Sequence, residues 1–79
     1  MKSALELKRE LNAADQELNR RYRFAVWCEN RLFASATLEE YKANEKQLQQ
    51  AEEDVQAQAQ AVQNIRHEWA KQDNAERFN

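Results

Sequence analysis

Glycine and proline are both absent from this chain of 79 residues. Glycine supplies the positive backbone φ angles that many tight turns need, and proline ends helices and fixes turn geometry. A sequence without either residue has few means of forming β-hairpins, bulges or ligand-binding loops. The two absences therefore favour an all-α protein. The sequence also contains no catalytic or cofactor-binding motif.

Cysteine is scarce and long apolar runs are lacking. The single cysteine, Cys28, excludes an internal disulfide and suits a reducing compartment. The apolar runs fall far short of the ~20 residues that a membrane-spanning helix needs, and Met1 to Ser3 lead into no signal-peptide core. The formal net charge of −2 gives no general attraction to nucleic acid or to an anionic membrane. We therefore expect a cytoplasmic protein that does not bind membranes.

The residues that are abundant are those of long helices and coiled coils: Ala, Glu, Gln, Lys, Arg and Leu. Ser3 and Glu6 have the spacing of a capping box, which predicts a helix over 3–34. A heptad stripe with alternating steps of three and four follows this helix, and Arg21 is its one charged member. The stripe consists of Ala4, Leu7, Leu11, Ala14, Leu18, Arg21, Ala25, Cys28 and Leu32.

Thr37 and Glu40 form a second capping box and predict a second helix over 38–72 after a turn at 35–37. Residues 73–79 are expected to be a frayed C-terminus of this single domain, 1–79. The second stripe is thinner, with large residues every seventh position and weaker residues between them. The large ones are Tyr41, Leu48, Val55, Val62 and Trp69, and the weaker ones are Glu45, Glu52, Ala59 and Arg66.

The two stripes have the same period, which favours a chain that folds back on itself as an antiparallel, coiled-coil-like hairpin; a continuous helical rod is the alternative. If Leu32 lies opposite Tyr41, the next layers follow from the constant sum of facing residue numbers. These layers are Ala25 with Leu48, Leu18 with Val55, Leu11 with Val62 and Ala4 with Trp69. Arg21 then faces Glu52, which predicts an ion pair that sets the register of the two helices.

A two-helix hairpin buries only one seam, and such small cores often need a second copy of the chain. Tyr22, Val26 and Phe33 lie beside the seam at helical spacing. We assign these three residues to self-association, which predicts a homodimer in the form of a four-helix bundle.

A second group of aromatic and basic residues forms a further stripe on the first helix, where Arg20 and Arg31 bracket Phe24 and Trp27 at helical spacing. Interfaces favour aromatic residues and arginine as anchors, so we assign this group to a partner protein of unknown identity. The group consists of Arg20, Arg23, Phe24, Trp27 and Arg31. The function that we infer is therefore non-enzymatic: an inhibitor, adaptor or chaperone that acts by binding.

Three other functions are weaker alternatives. A structural coiled-coil spacer would use the long helices alone. Nucleic-acid binding would use the arginines between aromatic residues, but the net charge is negative and an acidic helix lies next to them. Catalysis and metal or cofactor binding are least favoured: His67-Glu68 begins a zinc-protease motif, but position 71 is lysine where the second histidine would be needed.

Overall fold

A computed structural model describes residues 1–78 and contains two helices, α1 (Ala4–Phe33) and α2 (Leu38–Phe78). The helices pack side by side, and no strand occurs among these residues. The predicted all-α hairpin is therefore confirmed. Its Cα atoms extend over 63 × 15 × 14 Å, which makes the molecule a thin rod.

Side-chain caps define where both helices begin. Ser3 is the N-cap of α1, and its hydroxyl accepts a hydrogen bond from the Glu6 N–H at 3.2 Å. Thr37 accepts in the same way from the Glu40 N–H at 3.1 Å, while the Glu40 carboxylate accepts from the Ala36 N–H at 3.0 Å. These bonds satisfy amide groups that a helix start leaves without partners.

The turn between the helices needs no glycine because none of the residues over 1–78 has a positive φ angle. The N–H of Ala34 donates to the Asn30 carbonyl at 3.1 Å, and the N–H of Ser35 donates to the Leu32 carbonyl at 3.2 Å. Asn44 of α2 donates to the Ser35 hydroxyl at 2.9 Å. Backbone hydrogen bonds and the contact between Asn44 and Ser35 therefore close the turn without a residue in the left-handed region.

The core is a seam of two small clusters along the length of the rod. The cluster nearer the turn has Ala25, Cys28 and Ala51 buried, with Leu48 and Val55 packed against them. The cluster nearer the free ends has Leu11, Ala14 and Val62 buried, with Leu18 and Ile65 packed against them. Two predicted layers each fall within one cluster, Ala25 with Leu48 and Leu11 with Val62. Leu18 and Val55, predicted to form a layer, pack against different clusters.

In α2, the seam positions between the large stripe residues lie one residue earlier than the sequence predicted. Ala51 and Ile65 take part in the core, with the half-buried Gln58 between them, whereas Glu52 and Arg66 are exposed. The side chain of Gln58 donates to the Ala14 carbonyl of α1 at 3.0 Å. A polar residue can occupy the seam here because it hydrogen-bonds to the facing helix.

The predicted ion pair between Arg21 and Glu52 is wrong. The Nε of Arg21 pairs with the Glu17 carboxylate at 2.9 Å, and its Nη1 donates to the Asp54 carbonyl at 3.2 Å. Because Ala51 occupies the seam position, Glu52 points away from Arg21 to the opposite edge of the hairpin, beside Tyr22 and Val26.

Helix α2 continues to Phe78, beyond residue 72 where the sequence predicted its end. The Glu76 carboxylate accepts a hydrogen bond from the Ala4 N–H at 2.6 Å, and Arg77 pairs with Asp73 at 3.1 Å. These contacts stabilise the last turns of α2, so the prediction that residues 73–78 are frayed is wrong. Asn79, the last residue of that predicted tail, lies outside the described residues.

Candidate functional site

The turn half of α1 carries large apolar side chains on both sides of the seam. Helical spacing divides them: Tyr22 and Val26 lie on one side, Phe24 and Trp27 on the other. All four are more than two-fifths exposed. Each side therefore has a pair of exposed apolar side chains, and exposed apolar patches are typical of interaction sites.

The first surface is a stack of two aromatic rings flanked by arginines. The ring centroids of Phe24 and Trp27 are 5.6 Å apart and the ring planes differ by 25°. The guanidinium carbon of Arg31 lies 4.9 Å from the centroid of the Trp27 ring, within cation–π range. We call Arg20, Phe24, Trp27 and Arg31 the basic aromatic surface.

A small groove on the same side connects this surface to α2. It is lined by Arg20, Arg21, Phe24, Ala51 and Asp54, and has a volume of about 260 Å³. Phe24 therefore borders both the Trp27 ring and the seam. The sequence interpretation did not include Asp54, whose place at the groove depends on the register of α2.

Glu17 holds the two arginines at the edge of this groove. Its carboxylate pairs with Arg21 and with Arg20, which lie four and three residues further along α1. The hydrogen bond from Arg21 is the main reason that the pKa of Glu17 lies below its ordinary value, with Arg20 lowering it further. Both guanidinium groups are thus partly oriented before any partner binds.

Arg23, which the sequence placed in the same group, lies apart from the other members. It is exposed, and the helical rotation from Ala25 turns it away from α2 and from the groove that contains Arg20. The structure therefore brings together four of the five predicted partner-binding residues, and leaves Arg23 on the outer face of α1.

The second surface is a groove on the opposite side of the seam, with a volume of about 250 Å³. Tyr22, Val26 and Leu48 form much of its apolar lining, and Glu29 and Glu52 contribute carboxylates. We call these five residues the acidic groove. Its other lining residues are Ala25, Val55 and Gln56.

Two of the three residues assigned to self-association belong to this groove. Phe33 does not line it; it lies at the end of α1 with 77% of its surface exposed. No surface was predicted for Glu29 from the sequence, and Glu52 was predicted to lie in the seam. The seven-residue spacing of Tyr22 and Glu29 along α1 was the available signal that they share a face.

The one thiol is buried in the seam and belongs to neither surface. Cys28 is 1% exposed, and burial raises the pKa of its thiol above the ordinary value of 9.0 despite an opposing effect of Arg31. Residues 1–78 contain no group of three or more His, Cys, Asp or Glu side chains placed to hold a metal ion. Neither helix in this part of the chain has an apolar stretch long enough to cross a membrane.

Comparison of the chain with protein-family models, curated proteins and solved structures finds no match.

Proposed function

We propose that this protein is a non-enzymatic interaction module that binds another protein through its basic aromatic surface. In that role it would act as an inhibitor, adaptor or chaperone. The observation that carries the proposal is the exposed Phe24–Trp27 stack, with Arg31 over the Trp27 ring. Tryptophan and arginine are the residues most enriched among those that dominate binding energies at protein interfaces.

The order already present in the surface supports binding at a low entropic cost. Trp27 is held on one side by Phe24 and on another by Arg31. Arg20 and Arg21 share the Glu17 carboxylate. Side chains that are oriented before binding lose less conformational freedom when a partner arrives.

A second copy of the chain is the occupant that we propose for the other side of the hairpin, where Tyr22 and Val26 are exposed. The seam contains few large side chains, and hairpins with such small cores gain stability from association. Phe33 lies near that side at the end of α1 and would extend the contact.

The charges around the stack support a protein partner over nucleic acid. Glu17 and Asp54 lie within the arginine cluster, and the acidic groove occupies the other face of the same segment. A phosphate backbone would meet these carboxylates at close range, whereas a protein can present donors to them.

Affinity purification from the source cells with mass spectrometry tests the proposal. We expect wild-type protein to retain a specific partner and Trp27→Ala to lose it, with helical content unchanged by circular dichroism. Phe78→Ala is a matched control, because Phe78 is also an exposed aromatic residue but lies at the far end of the rod. Equal retention by the Trp27 variant and wild type would contradict the proposal.

A structural spacer is the second candidate, supported by the 63 Å length and 15 Å width of the rod. A spacer requires only that the hairpin keep its length and stability. It would tolerate alanine at both Phe24 and Trp27 without loss of any partner, so the same purification separates the two functions.

A further inference from the structure

The basic aromatic surface and the acidic groove lie back to back on the same segment of the hairpin. Tyr22 and Val26 of α1 face the groove that includes Glu52 of α2. Phe24 faces the groove that includes Asp54 of α2. The side chains of the two surfaces thus emerge on opposite sides of the plane through the two helices.

The two surfaces carry opposite charge. The lining of the acidic groove contains the carboxylates of Glu29 and Glu52 and no cationic side chain. On the other side, three guanidinium groups outnumber two carboxylates. The cations are Arg20, Arg21 and Arg31, and the anions are Glu17 and Asp54.

The two surfaces also differ in form: one is a cleft between the helices and the other is an exposed aromatic stack. The acidic groove is an open apolar cleft of about 250 Å³ between the helices. On the opposite side, the stacked residues Phe24 and Trp27 are 46% and 48% exposed. Exposed aromatic rings beside a cation can bury apolar area in such a cleft while the cation meets its carboxylates.

We infer that these two surfaces bind each other between copies: the Phe24–Trp27 stack of one chain docks in the acidic groove of a second copy. Arg20 and Arg31 of the first copy would then meet Glu29 and Glu52 of the second. This inference rests on the proposed function, since it takes the basic aromatic surface to be a protein-binding site and names a second copy as an occupant.

Charge favours this head-to-tail arrangement over a symmetric pair. In a symmetric dimer the same patch meets itself, so Glu29 and Glu52 of both copies would share one interface whose groove lining offers no cation. Like charges placed together across an interface cost free energy, whereas the head-to-tail contact pairs each sign with its opposite.

A head-to-tail contact leaves one surface of each kind open at the ends of every assembly. Further copies can add, so the average mass is expected to rise with concentration and not to stop at the dimer. The terminal copy keeps a free basic aromatic surface, which remains available to another protein.

Two complementary variants test the inference by sedimentation velocity and light scattering. The groove variant carries Glu29→Arg with Glu52→Arg, and the stack variant carries Trp27→Ala with Arg31→Glu. Each variant alone lacks one half of the contact and is expected at the monomer mass of 9.4 kDa. An equimolar mixture retains one intact half from each and should form a 1:1 complex of 18.8 kDa, twice 9.4 kDa.

Circular dichroism of both variants checks that the changes, which affect exposed side chains, leave the helices intact. A stack variant that still dimerises alone would show that self-association does not need Trp27 and Arg31, and would overturn the inference. Wild-type protein that stays monomeric up to millimolar concentration would overturn it too, as would a mixture that remains at 9.4 kDa.

The inference and the proposed function fail in different ways. If wild-type protein is monomeric but Trp27→Ala loses the cellular partner, self-docking is wrong and the proposed function stands. If the two variants assemble but Trp27→Ala retains the partner fully, self-docking stands and the proposed function is wrong.

Discussion

The backbone N–H of Ala4 donates to the Glu76 carboxylate at 2.6 Å, so the last turn of α2 caps the first turn of α1. The amide groups at a helix start have no partners within the helix and attract negative charge. This contact joins the two open ends of the hairpin, at the greatest distance from the turn that connects them.

Glu76→Ala should therefore destabilise the hairpin, although Glu76 is exposed. We expect the free energy of unfolding to fall by about 1 kcal/mol, the usual effect of losing a side-chain cap. Urea denaturation measures it. Glu53→Ala removes an exposed glutamate from the middle of the same helix and should have a smaller effect. Equal losses in the two variants would show that the contact with Ala4 adds no stability.

Most of the fold could be predicted from the sequence because α1 has an almost unbroken apolar stripe. Ala4, Leu7, Leu11 and Ala14 all occupy the buried face that the heptad pattern assigned to them. The missing glycine and proline correctly favoured long helices. The hairpin itself followed from two stripes of equal period.

The exact register was harder to predict because α2 places polar residues in its seam. Asn44 and Gln58 occupy half-buried positions that apolar residues would normally mark, and both donate hydrogen bonds to carbonyls of α1. The apolar pattern of α2 does not include these two polar residues. It therefore predicted Glu52 for the seam position that Ala51, one residue earlier, occupies.

Two leucines of α1 offer a matched test of the seam. Leu11 is 4% exposed and packs with Ala14 and Val62, whereas Leu5 is 62% exposed. We expect Leu11→Ala to cost about 2–5 kcal/mol, a large share of the stability of so small a core. Leu5→Ala should change stability by less than about 0.5 kcal/mol. Thermal unfolding by circular dichroism measures both, and similar costs would mean that Leu11 is not in the core.

The pairing of Arg21 with Glu17 has a consequence for pH dependence. A carboxyl group with a lowered folded-state pKa stabilises the fold above its ordinary pKa, and this contribution is lost as pH falls through the lowered value. The pKa of Glu17 is lowered chiefly by the Arg21 hydrogen bond. Glu17→Gln should therefore lose a small stability increment at pH 7, and the difference from wild type should shrink in acid.

Nuclear magnetic resonance titration of the Glu17 carboxyl tests the cause directly. We expect a pKa below the ordinary value of 4.5 in the wild type, and a return toward that value in Arg21→Gln. Glu52→Gln is the control, because Glu52 does not pair with Arg21. If Glu52→Gln raised the Glu17 pKa as much as Arg21→Gln, the described pairing would be wrong.

The candidate site was predicted in part, for a reason that concerns helix geometry. Phe24, Trp27 and Arg31 are three and four residues apart, so spacing alone places them on one side of α1. Arg23 is close to them in sequence but not on the same face. The contributions of Glu52 and Asp54 could not be predicted, because they depend on a register that the polar seam residues of α2 conceal.

The buried thiol of Cys28 should be nearly inert in the folded protein. Its pKa is raised by burial, so little of the reactive thiolate is present at neutral pH, and the seam shields the sulfur from reagents. We expect slow labelling by a disulfide reagent in native buffer and rapid labelling in urea. The double variant Cys28→Ala with Asn30→Cys moves the thiol to an exposed position of the same helix and should react rapidly in both conditions. Rapid native labelling of Cys28 would show that the hairpin opens near its turn, where the basic aromatic surface lies.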